Sequence, residues 1–315
     1  MFDSFLLAVG AVVPFLIYLS VGYLVVRLKW SDRPFLEKLN TLVYRALFPF
    51  MMFQNVYSIT ADGFPSPTLM LMGPLCVLAL IALALAVVPR IVTEDSRRGV
   101  IIQALFRSNY LLYGIPLTVF VFGSEKSGAA GIILAEMVTV FNVSAVIVLE
   151  KFAGRGRSGP GDLLKRMAAN PLLQGCLIGL VFFVLGIRLP AMIEKPVSAL
   201  GGAATPLALI TLGGTMEFSA MRRNRREIFV VLILKLILIP IAFTLLGYAL
   251  GLRGMELFLL LMIFATPVAV SSYPMAVNMN GDGPLAGQMV FVSTIVSLFT
   301  IFGFIFTLSS MGLLV

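Results

Sequence analysis

From Phe2 onward the chain passes through ten apolar stretches, near 3–26, 35–57, 68–89, 99–122, 128–149, 170–188, 196–218, 228–251, 255–279 and 284–313. A helix crosses the hydrocarbon core of a bilayer in roughly 20 apolar residues, so each stretch is long enough to span. The connections are short, and the longest polar one, Lys151 to Asn170, leaves no room for a water-soluble domain. Charged residues make up only 12% of the 315, about half of what a soluble surface carries. The expected fold class is therefore all-α integral membrane, one transmembrane domain over 1–315 with the lipid bilayer as its partner. The first stretch opens with Asp3, lacks a basic leader and a small-residue cleavage site, and is expected to be retained.

A net charge of +8 would suggest nucleic acid in a soluble chain. Its distribution argues instead for topology. Basic residues concentrate in cytoplasmic loops of membrane proteins. If the N-terminus lies outside, sixteen of the 23 lysines and arginines fall in the inner connections, at 27–38, 90–98, 151–166 and 222–226. Only Lys126, Arg188, Lys195 and Arg253 fall outside, and Arg45, Arg107 and Lys235 lie within stretches. Both termini are expected outside, and no nucleic acid partner is expected. The chain has no histidine, which excludes imidazole metal sites, imidazole proton relays and His-based triads. Cys76 and Cys176 both lie in apolar runs, so no disulfide framework or metal centre is indicated.

The sequence also repeats. Displaced by 158 residues, "FRSNYLLYGIP" (Phe106 to Pro116) falls on "FATPVAVSSYP" (Phe264 to Pro274). In the same register Gly123 meets Gly281, Val138 meets Val296, Thr139 meets Ser297 and Phe141 meets Phe299. Each half then holds five spans, and an odd number inverts the second half relative to the first. We read 1–150 as the first repeat, 151–169 as a cytoplasmic linker and 170–315 as the second. Inverted repeats with paired interrupted helices mark secondary transporters whose site lies at the midplane. The breaks are expected in spans four and nine, weakened by Asn109, Gly114 and Pro116 and by Pro267, Ser271, Ser272 and Pro274, with Gly114, Pro116, Pro267 and Pro274 as the breakers and Asn109 at the first break itself. Pro14, Pro49, Pro74, Pro206 and Pro240 are read as ordinary kinks.

These segments resemble the auxin efflux carrier family in its bacterial form. The likeness rests on "FRSNYLLYGIPL", "ATPVAVSSYPMAVNMNGD", "NPLLQGCLIGL" and "PLALITLGGTMEF", and it extends over essentially the whole chain. It implies a secondary carrier with crossing broken helices 4 and 9. It also implies a small organic anion as substrate, auxin-like or a mono- or dicarboxylate such as malonate or malate. The long cytosolic loop of plant members has no counterpart here, so its phosphorylation-based regulation does not transfer.

An ionisable group inside a membrane is costly and is by default a functional candidate. Arg107 can offer a planar fork to a carboxylate, or it can snorkel to the inner surface. Asn109, Tyr113, Asn142, Ser271 and Ser272 are the other substrate-binding candidates; an interhelical hydrogen bond is the alternative for Asn142. Glu136, with Arg107 as counter-charge, and Thr266 are candidates for coupling to H+ or Na+; a structural ion pair is the alternative for Glu136. Lys235 lies seven residues past "MRRNRRE" and is expected to snorkel, and Asp282 to be a solvated turn residue. No cofactor and no catalytic residue is expected. "GRGRSG" at 154–159 lacks the strand that a dinucleotide site needs, and "NVS" at Asn142 lies within a span. "GCLIG" and "GYALG" have the spacing of close helix packing, within one protomer or across a homodimer. An ion channel is the rival reading; saturable flux and counter-transport would distinguish a carrier. An enzyme would need a Ser–Lys or paired-carboxylate site, and Lys235 has no partner visible in the sequence.

Overall fold

Four of the helices start on the same short signal, a polar cap with proline just inside. Asp32, Ser66, Asn170 and Asp282 each accept a hydrogen bond from a backbone N–H of the first turn, those of Phe35, Leu69, Leu172 and Leu285. Proline follows within two residues because the first turn has N–H groups that no carbonyl can reach. The computed structural model describes residues 2–58, 65–123, 127–154 and 160–314. Lys126, Arg155 and Arg157, counted above for orientation, and most of the "GRGRSG" tract lie outside them.

In chain order the helices are α1 (Phe2–Arg27), α2 (Arg33–Leu42), α3 (Phe48–Tyr57), α4 (Pro67–Ile91), α5 (Asp95–Phe106), α6 (Tyr110–Phe122), α7 (Ser127–Lys151) and α8 (Pro160–Ala168). There follow α9 (Pro171–Val184), α10 (Ala191–Thr215), α11 (Phe218–Arg223), α12 (Arg225–Ile233), α13 (Ile239–Ala249), α14 (Gly254–Ala265), α15 (Ser272–Asn278) and α16 (Gly283–Ser310). A π-helical turn, Val43–Leu47, joins α2 to α3, and another, Leu234–Leu238, joins α12 to α13. All regular elements among the described residues are helices. The only extended pairing among them is an isolated antiparallel bridge between Ser108 and Val268.

Among the described residues five helices are long and apolar enough to cross a membrane alone: Pro67–Ile91, Gly128–Lys151, Ala191–Thr215, Arg225–Ala249 and Gly283–Ser310. Two of the other expected spans are split, α5 from α6 and α14 from α15. Large apolar side chains such as Leu71, Leu75, Leu83, Leu245 and Phe299 project outward. A water-facing helix would not carry such a coat, whereas lipid accepts it, and the protein is an integral membrane protein. Trp30 is exposed beside Lys29 and Arg27, the composition of a membrane–water interface.

Helix bounds recur at the sequence offset. Arg33 to Tyr57 and Ala191 to Thr215 start and end 158 residues apart, as do Pro67 to Ile91 and Arg225 to Ala249. The packing falls into two groups. In the first, α1 lies on α10 and α3 on α9, with α10 also against α2 and α3. In the second, α4 packs on α5, α13 on α14, α6 on α7, α15 on α16 and α14 on α6. The first group is built backbone to backbone. A methyl at Gly213 would fall on the carbonyl oxygen of Leu19, and one at Gly175 on that of Pro49. The "GCLIG" spacing thus serves packing of α9 on α3 within one protomer. In the second group α14 is the centre, with every residue from Leu257 to Ala265 buried.

Candidate functional site

The two broken helices meet end to end. α5 stops at Phe106, and Arg107, Ser108 and Asn109 are non-helical before α6 begins at Tyr110. α14 stops at Ala265, and the chain turns before α15 begins at Ser272. The interrupted segments cross antiparallel: Ser108 bridges Val268 and the Asn109 N–H donates to the Pro267 carbonyl at 2.8 Å. The Val268 N–H donates to Ser293 Oγ at 3.1 Å. Pro267 has no N–H to return the bond from Asn109. Backbone groups released from a helix inside a membrane need such partners.

Asn109 stands in the first break as expected, but the glycine and proline expected to make that break do not. Gly114 and Pro116 lie inside α6, and the interruption falls seven residues earlier at Arg107 to Asn109. Gly114 has another task, since a methyl there would strike the Tyr110 ring. Pro274 is the third residue of α15, where the missing N–H would have found no helical acceptor anyway. Of the four proposed breakers, only Pro267 stands in a break.

Arg107 is 2% exposed, so it does not snorkel. Its Nη2 donates to Asn142 Oδ1 at 2.6 Å and to Ser271 Oγ at 2.7 Å, and Nη1 donates to the Met275 sulfur. The Asn142 amide in turn donates to the Met52 sulfur at 2.8 Å. Arg107, Asn109, Asn142 and Ser271 therefore come together, from the break between α5 and α6, from α7 and from the break before α15. All of the guanidinium's hydrogen-bond partners here are neutral. No carboxylate forms an ion pair with it among the described residues, and the expected pairing with Glu136 is not made. Glu136 is half-buried on α7, with Oε2 shielded and unpartnered.

Beside these groups is a cavity of about 60 Å³, bordered by Asn55, Arg107, Asn109, Asn142, Thr205 and Ser271. A wider cavity of about 700 Å³ shares Met51, Asn55, Leu111, Leu112 and Thr205 with it and continues past Pro14, Gln54, Pro116 and Gly202. A further groove of about 690 Å³, walled by Leu80, Leu83, Ile101 and Val230, does not reach Arg107. Tyr113 is buried in α6 and lines none of these. Ser272 and Thr266 are buried, and neither hydroxyl finds a partner among the described residues.

Sequence reasoning missed several groups. Met52 and Met275 supply sulfur acceptors, and nothing in an apolar chain distinguishes these methionines from others. Asn55 and Thr205 were polar residues within spans and could have been nominated. Lys235 was expected to snorkel, yet it is 0% exposed, and its Nζ donates to Ser108 Oγ. Asp282 caps α16 and pairs with Arg97 at 3.5 Å. The other intramembrane cation, Arg45, is exposed.

Residues 161–305 match the family model described as "Membrane transport protein". The matched region is just under half of the chain. The matched region includes Pro267 and Ser271 of the crossing, while Arg107, Asn109 and Asn142 precede it. An uncharacterized transporter of Methanothermobacter thermautotrophicus is 27% identical over 90% of this chain and 92% of its own length. A candidate malonate transporter of Rhizobium meliloti is 24% identical over 96% of each chain. An uncharacterized transporter of Methanocaldococcus jannaschii is 25% identical over 66% of this chain and 68% of its own. The matched region takes in the span-nine motif on which part of the resemblance rests.

Proposed function

We propose that the protein is a secondary active transporter of small organic anions, with mono- or dicarboxylates such as malonate or malate as its substrates. The observation that carries this reading is the buried Arg107 guanidinium, held at the crossing by neutral partners only. An arginine at bilayer depth costs at least about 3 kcal/mol on insertion scales. A fixed cation without a carboxylate is an anion receptor, and its fork suits a carboxylate's two oxygens. Asn109 and Asn142 would supply neighbouring amides and Ser271 and Ser272 hydroxyls. Thr266 and Glu136 remain candidates for a coupling cation or proton.

In this reading the chain crosses ten times, as inverted repeats within 1–150 and 170–315 joined by the linker 151–169. The paired helix bounds support it, as does the contact of Asn109 with Pro267, its own counterpart at the 158-residue offset. Rocking about the crossing would expose the site to each side in turn, driven by a proton or sodium gradient. The termini would face outside, in a bacterial inner membrane. The candidate malonate transporter among the relatives supports the substrate class.

The test is uptake of labelled malonate, malate and indole-3-acetate into proteoliposomes under imposed proton and sodium gradients. Saturable uptake by wild type and its loss in Arg107→Gln and Asn109→Ala is expected. Equal uptake by Arg107→Gln would remove the site from the crossing, and non-saturating flux would turn the reading toward a channel.

A further inference from the structure

Lys235 is the second buried cation at the crossing. It lies in the π turn between α12 and α13, a distortion that often marks functional positions. Its Nζ bonds Ser108, the neighbour of Arg107 and the residue that bridges Val268. Two cations thus attach to consecutive residues of one break.

The π turn packs against α5, α12, α13, α14 and α16. Their charged groups lie mostly at helix ends. On α5 these are Asp95, Arg97 and Arg98 in the first turns, with Arg107 just past its end; on α12 they are Arg225, Arg226 and Glu227. On α14 Glu256 holds the Ser66 N–H and hydroxyl at 2.7 and 2.8 Å. α16 carries no charged residue, Asp282 caps it beside Arg97, and α13 contributes only Tyr248 near its far end. Among the described residues no carboxylate pairs with Lys235.

Resting on the carrier reading above, we infer that Lys235 carries the coupling proton and that the substrate anion and this proton travel together. As a neutral amine, Lys235 accepts from the Ser108 hydroxyl; as an ammonium it donates to Ser108 Oγ. The empty site holds the fixed charge of Arg107, and a second charge on Lys235, hydrogen-bonded to the adjacent Ser108, is opposed by Coulomb repulsion in a medium of low dielectric. A carboxylate seated on Arg107 cancels that repulsion and favours the proton on Lys235. By reciprocity the protonated lysine tightens the anion. The proton comes from water on the side of entry and returns to water on the other, and only the N–H bond of Lys235 forms and breaks.

The experiment uses proteoliposomes with malonate and the wild type, Lys235→Gln and Lys235→Arg. For one linked proton, the wild-type half-saturation concentration is expected to fall about tenfold per unit drop in pH at the limit, and an inward proton gradient should drive accumulation. Glutamine cannot take up the proton and arginine cannot release it. Both variants should keep malonate counterflow and lose the response to the gradient. Gradient-driven accumulation in either variant overturns the inference, as does wild-type uptake driven by sodium alone. Loss of counterflow in both variants overturns it too, by making Lys235 a structural residue. Absence of saturable malonate flux in the wild type is a different failure; it removes the carrier reading for this substrate, and the inference falls with it.

Discussion

Arg107 is bound to neutral atoms, and the charge it lacks can be supplied within the protein. Asn142→Asp would place a carboxylate 2.6 Å from the guanidinium, at the position of the present Oδ1. The new ion pair should compete with the substrate anion, so malonate half-saturation is expected to rise at least about tenfold, the effect of a charge-assisted contact worth roughly 1.5–3 kcal/mol. Thermal stability of the purified variant should not fall, because the buried cation has gained a partner. Arg107→Lys tests the fork itself. An ammonium cannot hold Asn142, Ser271 and Met275 in one plane, and a loss of about tenfold in affinity is expected from the same range of hydrogen-bond energies. Uptake kinetics measured side by side with melting curves would separate lost binding from lost folding.

The helices make their own prediction where backbones touch. Gly213→Ala drives a methyl onto the Leu19 carbonyl, and neither helix has a flexible side chain there to move aside. Destabilisation of about 1–3 kcal/mol is expected, as for overpacked cores, and should appear as a lowered melting temperature in detergent. Gly202→Ala, which meets nothing nearby, should leave the melting temperature in place. The sequence made much of this scale readable, because caps, prolines and apolar length are local signals. It put Asn109 in the first break and Pro267 in the second, but it also counted Gly114 and Pro116 as breakers, and these lie inside α6. Pro116 looks decisive in a list of residues, yet a proline interrupts a membrane helix only where the freed backbone finds better partners outside it. Here those partners are Pro267 and Val268, about 158 residues away in the chain. Lys235 was misplaced because its short distance from the Arg-rich loop carries no information on which face it takes; the π turn that holds it packs on α5, α14 and α16 and buries it. The sulfur acceptors were not legible at all, since methionine is common in this chain and only tertiary packing selects Met52 and Met275.

Across the whole molecule, five crossings in each half would leave both termini and the α9–α10 connection on one side. Glu194 and Lys151 are both exposed, at opposite ends of the helical pattern, and both native cysteines are buried. In intact cells a membrane-impermeant maleimide should label Glu194→Cys and spare Lys151→Cys until the membrane is opened. The reverse pattern would invert the orientation, and equal labelling of both would undo the assignment of spans. Two identical inverted halves would offer the same chemistry to either side, and such a carrier would rest facing neither in preference. The first half brings Arg107, Ser108 and Asn109 to the crossing, whereas the positions 158 residues later are Ala265, Thr266 and Pro267. Balanced architecture with unequal chemistry behaves as a rectifier. In the carrier proposed above, one facing would hold the anion more tightly than the other, and the direction in which the empty protein waits would be chosen by three residues on one arm of the cross.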